Sequence, residues 1–249
     1  GLDLAKGALI TFVDADDRLR PRTLEILSDV LRKTGSDMAG CSFHAWSTEE
    51  EWEAFLTERF RIGEPVIYTG AQYLREELQG NSRCWSKLYR RSLIGKLRFQ
   101  RGLSIGEDML FLTELLGYAR KVSEIDYPGY GYYQNAKGAM NRPFTPSYMD
   151  QITCWELARD RILAIDSTLE AKVTSILIML TAGKLAMLPA ADRRKHAQYI
   201  QICRDKLKQE LQVSGAYELL SGGYRLKAKL FAAAPGLYLY GYHFRKYKD

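Results

Sequence analysis

Hydrophobic and polar positions in the first half of the chain switch between strand and helix periods. Leu9-Ile10-Thr11-Phe12-Val13 is an apolar, β-branched run of the kind that forms a buried strand. It ends abruptly in Asp14, Asp16 and Asp17, so the strand delivers carboxylates to its C-terminal end, where open α/β sheets place their ligands. Arg18-Leu19-Arg20-Pro21 follows, proline suits a first helical turn, and Leu24, Leu27 and Leu31 then recur at helical spacing. The acids are therefore expected in a strand-to-helix turn. Upstream, Gly1 to Lys6 reads as the end of a helix with Gly7 as its C-cap.

Further along, Asp37 to Phe43 reads as a second strand, and His44 behind it reads as structural. Thr48-Glu49-Glu50-Glu51 has the form of a capping box, with Trp52, Phe55, Leu56 and Phe60 as the apolar stripe of a surface helix. Another short helix opens at Thr69, places Leu74 and Leu78 on one face and ends at Gly80. The stretch Cys84 to Ile94 mixes aromatics, bases and small polar residues. Gly106-Glu107-Asp108 then precedes an apolar helix (Met109, Leu110, Phe111, Leu115, Leu116), and Val122 to Tyr133 reads as a tyrosine-rich strand broken at Pro128-Gly129. From about Ser147 the spacing is helical: Ile152, Trp155 and Leu157 through Ile165, Val173 to Leu188, and Arg193 to Leu211, with Pro189 separating the last two. His196, in the basic Arg193-Arg194-Lys195 turn, is expected to face solvent.

Composition narrows the function classes. The net charge of +6 is concentrated at one end, because Tyr224 to Asp249 holds six Lys/Arg and one acid. The rest is nearly balanced, which argues against a nucleic-acid-binding face. The same tail joins bases to aromatics (Tyr238, Tyr240, Tyr242, Phe244), a combination suited to an anionic membrane surface. Cys41, Cys84, Cys154 and Cys203 are scattered, without metal-ligand spacing, and are expected as reduced structural thiols of a cytosolic protein. No apolar run approaches the ~20 residues of a membrane-spanning helix.

Carboxylates as crowded as Asp14, Asp16 and Asp17 repel one another unless a cation or hydrogen bonds neutralise them. Hard oxygen ligands suit magnesium or manganese bound together with substrate phosphates, and a solvated acidic turn is the alternative. A haloacid-dehalogenase-type phosphatase also opens with strand-Asp-x-Asp, but it wants Thr or Val soon after, where this chain has Asp17-Arg18. Glu107 and Asp108, on spacing alone, are acids favourably placed at a helix N-terminus.

Three ordered motifs change that balance. Asp14-Ala15-Asp16-Asp17-Arg18-Leu19-x-Pro21, Trp85-Ser86-Lys87-Leu88-Tyr89-Arg90-Arg91, and Phe99-x-x-Gly102 with Gly106-Glu107-Asp108-Met109-x-Phe111 together resemble a family 2 glycosyltransferase of the GT-A fold, from Gly1 to about Tyr133. The resemblance implies an inverting transfer from a nucleotide-sugar donor to a saccharide or lipid-linked acceptor in cell-surface polysaccharide synthesis, with Mn2+ or Mg2+ as cofactor. It assigns the metal to Asp16, with Asp14 and Asp17 supporting it or holding the ribose, and the general base to Asp108 in the Glu107-Asp108 pair. Trp85 would stack on sugar and Lys87 would contact acceptor or phosphate.

The implied fold is α/β, a GT-A-like (Rossmann-like) mixed sheet followed by a helical C-terminal region. Residues 1–145 would be the C-terminal part of the transferase domain, 146–223 a helical extension and 224–249 a basic aromatic tail, peripheral at the inner face of the membrane. Two departures from the family pattern stand out. Its opening strand with a Pro-x-Tyr-Asn-like segment is absent, which predicts an N-terminally truncated domain that is inactive alone, and Asn135-Ala136-Lys137-Gly138 replaces the usual serines. The rival expectation is a non-catalytic helical or membrane-peripheral module carrying a truncated transferase remnant.

Overall fold

A computed structural model describes residues 1–78, 80–135, 144–185, 188 and 190–246, which form two compact units. The first comprises residues 1–100 and 111–141, and the second 101–110 and 142–249.

The first unit contains β1 (Leu9–Thr11), β2 (Arg18–Leu19), α1 (Thr23–Thr34), β3 (Met38–Trp46), α2 (Glu49–Thr57), β4 (Val66–Tyr68), α3 (Gly70–Glu76), β5 (Lys87–Arg90), α4 (Arg91–Ile94), the later part of α5 (Glu107–Leu116) and β6 (Val122–Tyr133). They build one mixed sheet in the order β1-β5-β3-β6-β2, with β4 also paired to β6. β3 and β6 run parallel and every other pairing is antiparallel. This is the mixed sheet expected of the fold.

Local chemistry explains several elements. Thr48 and Glu51 form the capping box of α2, and Thr69 with Gln72 forms a second one for α3, so each cap satisfies donors that the helix leaves open. α1 ends where Gly35 adopts φ 68° and donates its N–H to the Leu31 carbonyl. Its buried stripe is Leu27, Val30 and Leu31, packed on Ala39, Cys41, Leu88, Ile125 and Tyr127. Leu24, predicted in that stripe, is 43% exposed. α2 is the surface helix expected, with Glu49, Glu50, Glu51 and Glu53 exposed and Trp52 and Phe55 buried against Trp46. His44 stacks on Phe55 at 4.0 Å between ring centroids, a structural role as expected.

Three expectations are corrected. β1 is shorter than the run Leu9–Val13 and its three residues are half-buried where a buried strand is expected; among the described residues it pairs only with β5. Phe12 beyond it packs edge-to-face on Tyr89, Phe99 and Phe111 instead of continuing the strand. The acids lie between two strands, because Arg18 and Leu19 pair with Gly131 and Tyr130 of β6 before α1 starts. Residues before Gly7 make one turn, closed by the Leu4 and Ala5 N–H groups on the Gly1 carbonyl. The predicted break at Pro128 appears as a register shift opposite Ser42 within a continuous β6.

The second unit contains the start of α5, then α6 (Tyr148–Ile165), α7 (Glu170–Lys184), α8 (Ala197–Glu210), α9 (Gly222–Ala233) and α10 (Pro235–Lys246). This is the expected helical C-terminal region. Ile152, Trp155 and Ile162 of α6, Val173 and Leu177 of α7 and Phe231 of α9 are buried within it. His196 is buried, not solvent-facing, and packs on Phe144 and Tyr199. The predicted separator Pro189 and the segment Ala136-Lys137-Gly138 lie outside the described residues. All four cysteines are buried and free. Among the described residues no helix is long and apolar enough to cross a membrane.

Candidate functional site

The acid turn is built by β6. The Asp17 N–H donates to the Asp14 carbonyl at 3.1 Å and closes a tight turn. Both Asp17 carboxylate oxygens are engaged: one accepts from the Tyr130 hydroxyl at 2.6 Å, the other from the Tyr133 N–H at 2.8 Å. The Tyr130 oxygen in turn accepts the Asp14 N–H at 3.2 Å. Burial raises the Asp17 pKa, and those hydrogen bonds pull in the opposite direction. Burial, and then the Asp17 carboxylate, push the Tyr130 hydroxyl upward, so it stays a donor. Asp14 and Asp16 are exposed. The three acids are thus sorted: Asp17, expected to bind substrate, anchors the turn to β6, while Asp14 and Asp16 face outward.

Beside the turn stands an aromatic stack. Trp85 lies flat on Tyr130, with ring centroids 4.5 Å apart, and on Tyr132 at 5.4 Å, while the Arg83 guanidinium sits 4.5 Å from the rings of Phe43 and Trp85. Trp85, expected to stack on sugar, is only 7% exposed and packs against the tyrosines of β6. Ser86 follows in the left-handed region at φ 59°, a conformation that costs a non-glycine residue energy, and leads into β5.

Lys87, expected to contact acceptor or phosphate, lies at the start of β5. It is fully buried, and its ammonium donates to Asn81 Oδ1 at 2.6 Å. In register, Gly40 of β3 lies between Lys87 of β5 and Glu124 of β6. A Cβ on Gly40 would overlap the Glu124 carboxylate, so glycine is what lets that side chain fill the row. Glu124 Oε1 accepts from the Tyr73 hydroxyl at 2.7 Å and from Asn81 Nδ2 at 3.3 Å. Burial raises the Glu124 pKa and lowers that of Lys87, while the attraction between the two opposes both shifts. Lys87 therefore belongs to a buried charged row that fixes three strands.

In the second unit, Glu107 and Asp108 open α5. Gly106 precedes them at φ 91°, where any Cβ would press on Cys154 of α6. The Met109 N–H donates to Asp108 Oδ1 at 2.7 Å, and the Ser104 N–H donates to Asp150 Oδ2 at 2.9 Å. Glu107 is half-buried, and its pKa is raised by burial first, then by the charges of Asp108 and Asp150. The Cys154 thiol beside them is pushed up to about 12, mainly by burial. Sequence reading missed Tyr130, Asp150 and Cys154. Only the tyrosine-rich spacing of β6 gave a signal, and it did not single out Tyr130.

Comparison with known proteins agrees with this architecture. Residues 1–98 match the family model described as glycosyl transferase family 2. The uncharacterized glycosyltransferase YibD of Escherichia coli is 32% identical over 143 residues, 53% of this chain and 40% of that protein. The putative glycosyltransferase EpsH of Bacillus subtilis is 31% identical over 140 residues, 53% of this chain and 39% of that protein. The chain thus spans about 40% of the length of these curated relatives. Crystal structures of S. aureus TarS residues 1–349 superpose on all or nearly all of it. The complex with UDP gives a TM-score of 0.65 at 17% identity, covering 100% of this chain and 69% of that one. The complex with UDP-GlcNAc gives 0.64 at 18% identity, covering 98% and 70%. That likeness is one of fold. Taken with the family match and the sequence relatives, it makes residues 1–98 of this GT-A-like chain similar to glycosyl transferase family 2.

Proposed function

We propose that the complete protein transfers a hexosyl-type sugar from a nucleoside-diphosphate donor to a hydroxyl of a saccharide or lipid-linked acceptor, inverting the anomeric carbon, in the synthesis of a cell-surface polysaccharide. The observation that carries this reading is the acid turn, where Asp17 is committed to β6 and Asp14 and Asp16 stand exposed, inside the segment matched by the family model. The UDP and UDP-GlcNAc complexes of TarS support a nucleoside-diphosphate sugar as the donor class.

Asp16, with Asp14 beside it, would hold manganese or magnesium. The donor set is hard carboxylate oxygen. That fits an ion that arrives with the phosphates of the donor. When bound, the ion offsets charge on the departing nucleoside diphosphate. Asp108 accepts the proton of the acceptor hydroxyl as its oxygen bonds to the anomeric carbon and the bond to the diphosphate breaks. One displacement of this kind inverts that carbon.

The protein works on the cytoplasmic side, peripheral to the inner face of the membrane. Residues 219–248 carry six basic side chains and no acid. Leu226, Leu237 and Tyr240 there are 69%, 62% and 64% exposed and would enter an anionic lipid surface. Phe231 and Tyr238 are buried, and the Tyr238 hydroxyl donates to the Ala182 carbonyl, so these two aromatics serve packing.

Manganese-dependent release of UDP from UDP-GlcNAc and related donors by the complete protein tests the reading. Release that requires manganese and rises with acceptor supports it. No turnover with any nucleotide sugar would favour the rival, a non-catalytic helical or membrane-peripheral module.

A further inference from the structure

We propose that Tyr130 is the positioning residue of the acid turn, holding Asp14 and Asp17 through one hydroxyl so that the Asp14 and Asp16 carboxylates are presented together to an ion and a diphosphate. This rests on the reading of that turn as the ion- and diphosphate-binding element.

The geometry is specific. The Tyr130 oxygen accepts the Asp14 N–H at 3.2 Å while its proton goes to Asp17 Oδ2 at 2.6 Å. One oxygen therefore ties the first and last residues of the turn, which the Asp17 N–H also closes on the Asp14 carbonyl. Hydrogen bonds to a carboxylate are roughly twice as strong as neutral ones, and this one lies against a buried ring.

The hydroxyl has little freedom to move away. Tyr130 is fully buried, and Trp85 stacks on its face. Glycines flank it on both sides. A Cβ at Gly129 would press on Thr23 and Cys41, and one at Gly131 would overlap the Trp52 ring, so the strand lies tight against its neighbours around this tyrosine. Each Asp17 oxygen accepts one hydrogen bond from β6, so both oxygens hold the turn to the strand.

Groups that hold metal ligands in place typically govern affinity by about 10- to 100-fold. Manganese binding in the presence of UDP, followed by calorimetry and by the manganese paramagnetic resonance signal, would be compared for the complete protein and its Tyr130→Phe, Asp17→Asn and double variants. Phenylalanine keeps the stacked ring and removes only the hydroxyl. The expected result is manganese affinity about 10- to 100-fold weaker in each single variant. The double variant should be little weaker than the worse single one, because the two groups act through one contact.

A tyrosine that merely supports the fold would lower the unfolding midpoint and leave the manganese affinity of the folded protein unchanged. Wild-type affinity in Tyr130→Phe therefore overturns the proposal, whatever happens to the midpoint. Should that variant not fold, Asp17→Asn decides by the same criterion. A wild-type protein that binds no manganese with UDP overturns the reading of the site along with this inference, whereas binding that both variants retain overturns only the role of Tyr130.

Discussion

The two groups of acids in this chain are built in opposite ways. At Asp14–Asp17 one carboxylate is buried enough to anchor the turn, and the other two are exposed. At the head of α5 the acids are half-buried beside Asp150 and Cys154, and burial raises the Glu107 pKa. Exposed carboxylates suit a cation, while burial beside other acids, as at Glu107, favours taking up a proton. Spacing along the chain cannot separate these cases. Burial does.

The largest effect that would sharpen this contrast comes from Asp108→Asn. Turnover by the complete protein should fall about 10²–10⁴-fold, as expected for loss of a positioned base, while calorimetric donor affinity stays unchanged. If Asp108→Asn keeps turnover and Glu107→Gln loses it, the raised carboxylate of Glu107 is the base.

A second variant tests whether Lys87 belongs to the fold and not to a ligand. Lys87→Met leaves Glu124 in its buried row without its cation and should destabilise the protein by about 3–5 kcal/mol in urea unfolding. A small change in stability with a large loss of acceptor or donor affinity would return Lys87 to the site.

The smallest effect concerns pH. Because Glu107 has a raised pKa in the folded state, folding favours its protonated form. Its contribution is complete below the ordinary glutamate range and is lost as pH rises through the raised value. Glu107→Gln cannot ionise, so its unfolding midpoint should decline less than that of the wild type over that interval. Parallel midpoint curves would place Glu107 in an ordinary solvated environment.

How far these features could be read from sequence depends on how local their causes are. The capping box at Thr48 and the helix start at Thr69 are legible because the signal for each is complete within four residues. The acid turn could be read as a candidate site because three carboxylates after an apolar run are costly without a reason. Its construction could not, since Tyr130 reaches Asp17 from 113 residues away across the sheet. The run Leu9–Val13 reads as a buried strand, but periodicity records only that the side chains are apolar. Phe12 satisfies that by packing on Phe99 and Phe111 off the strand. The burial of Lys87 is hidden for a similar reason: Gly40 and Glu124, which lie beside it in register, are on two other strands. β4, whose Val66 and Ile67 are half-exposed, has too short a pattern to read.

Asp14 and Asp16, the exposed acids of the turn, would take an ion together with a nucleoside diphosphate. Calorimetric titration of UDP into the complete protein and its Asp16→Asn variant, with and without manganese, tests it most directly. The account predicts that manganese strengthens UDP binding by the wild type and that Asp16→Asn abolishes this gain while leaving the unfolding midpoint in place. Manganese-dependent UDP binding that survives Asp16→Asn unchanged would contradict it.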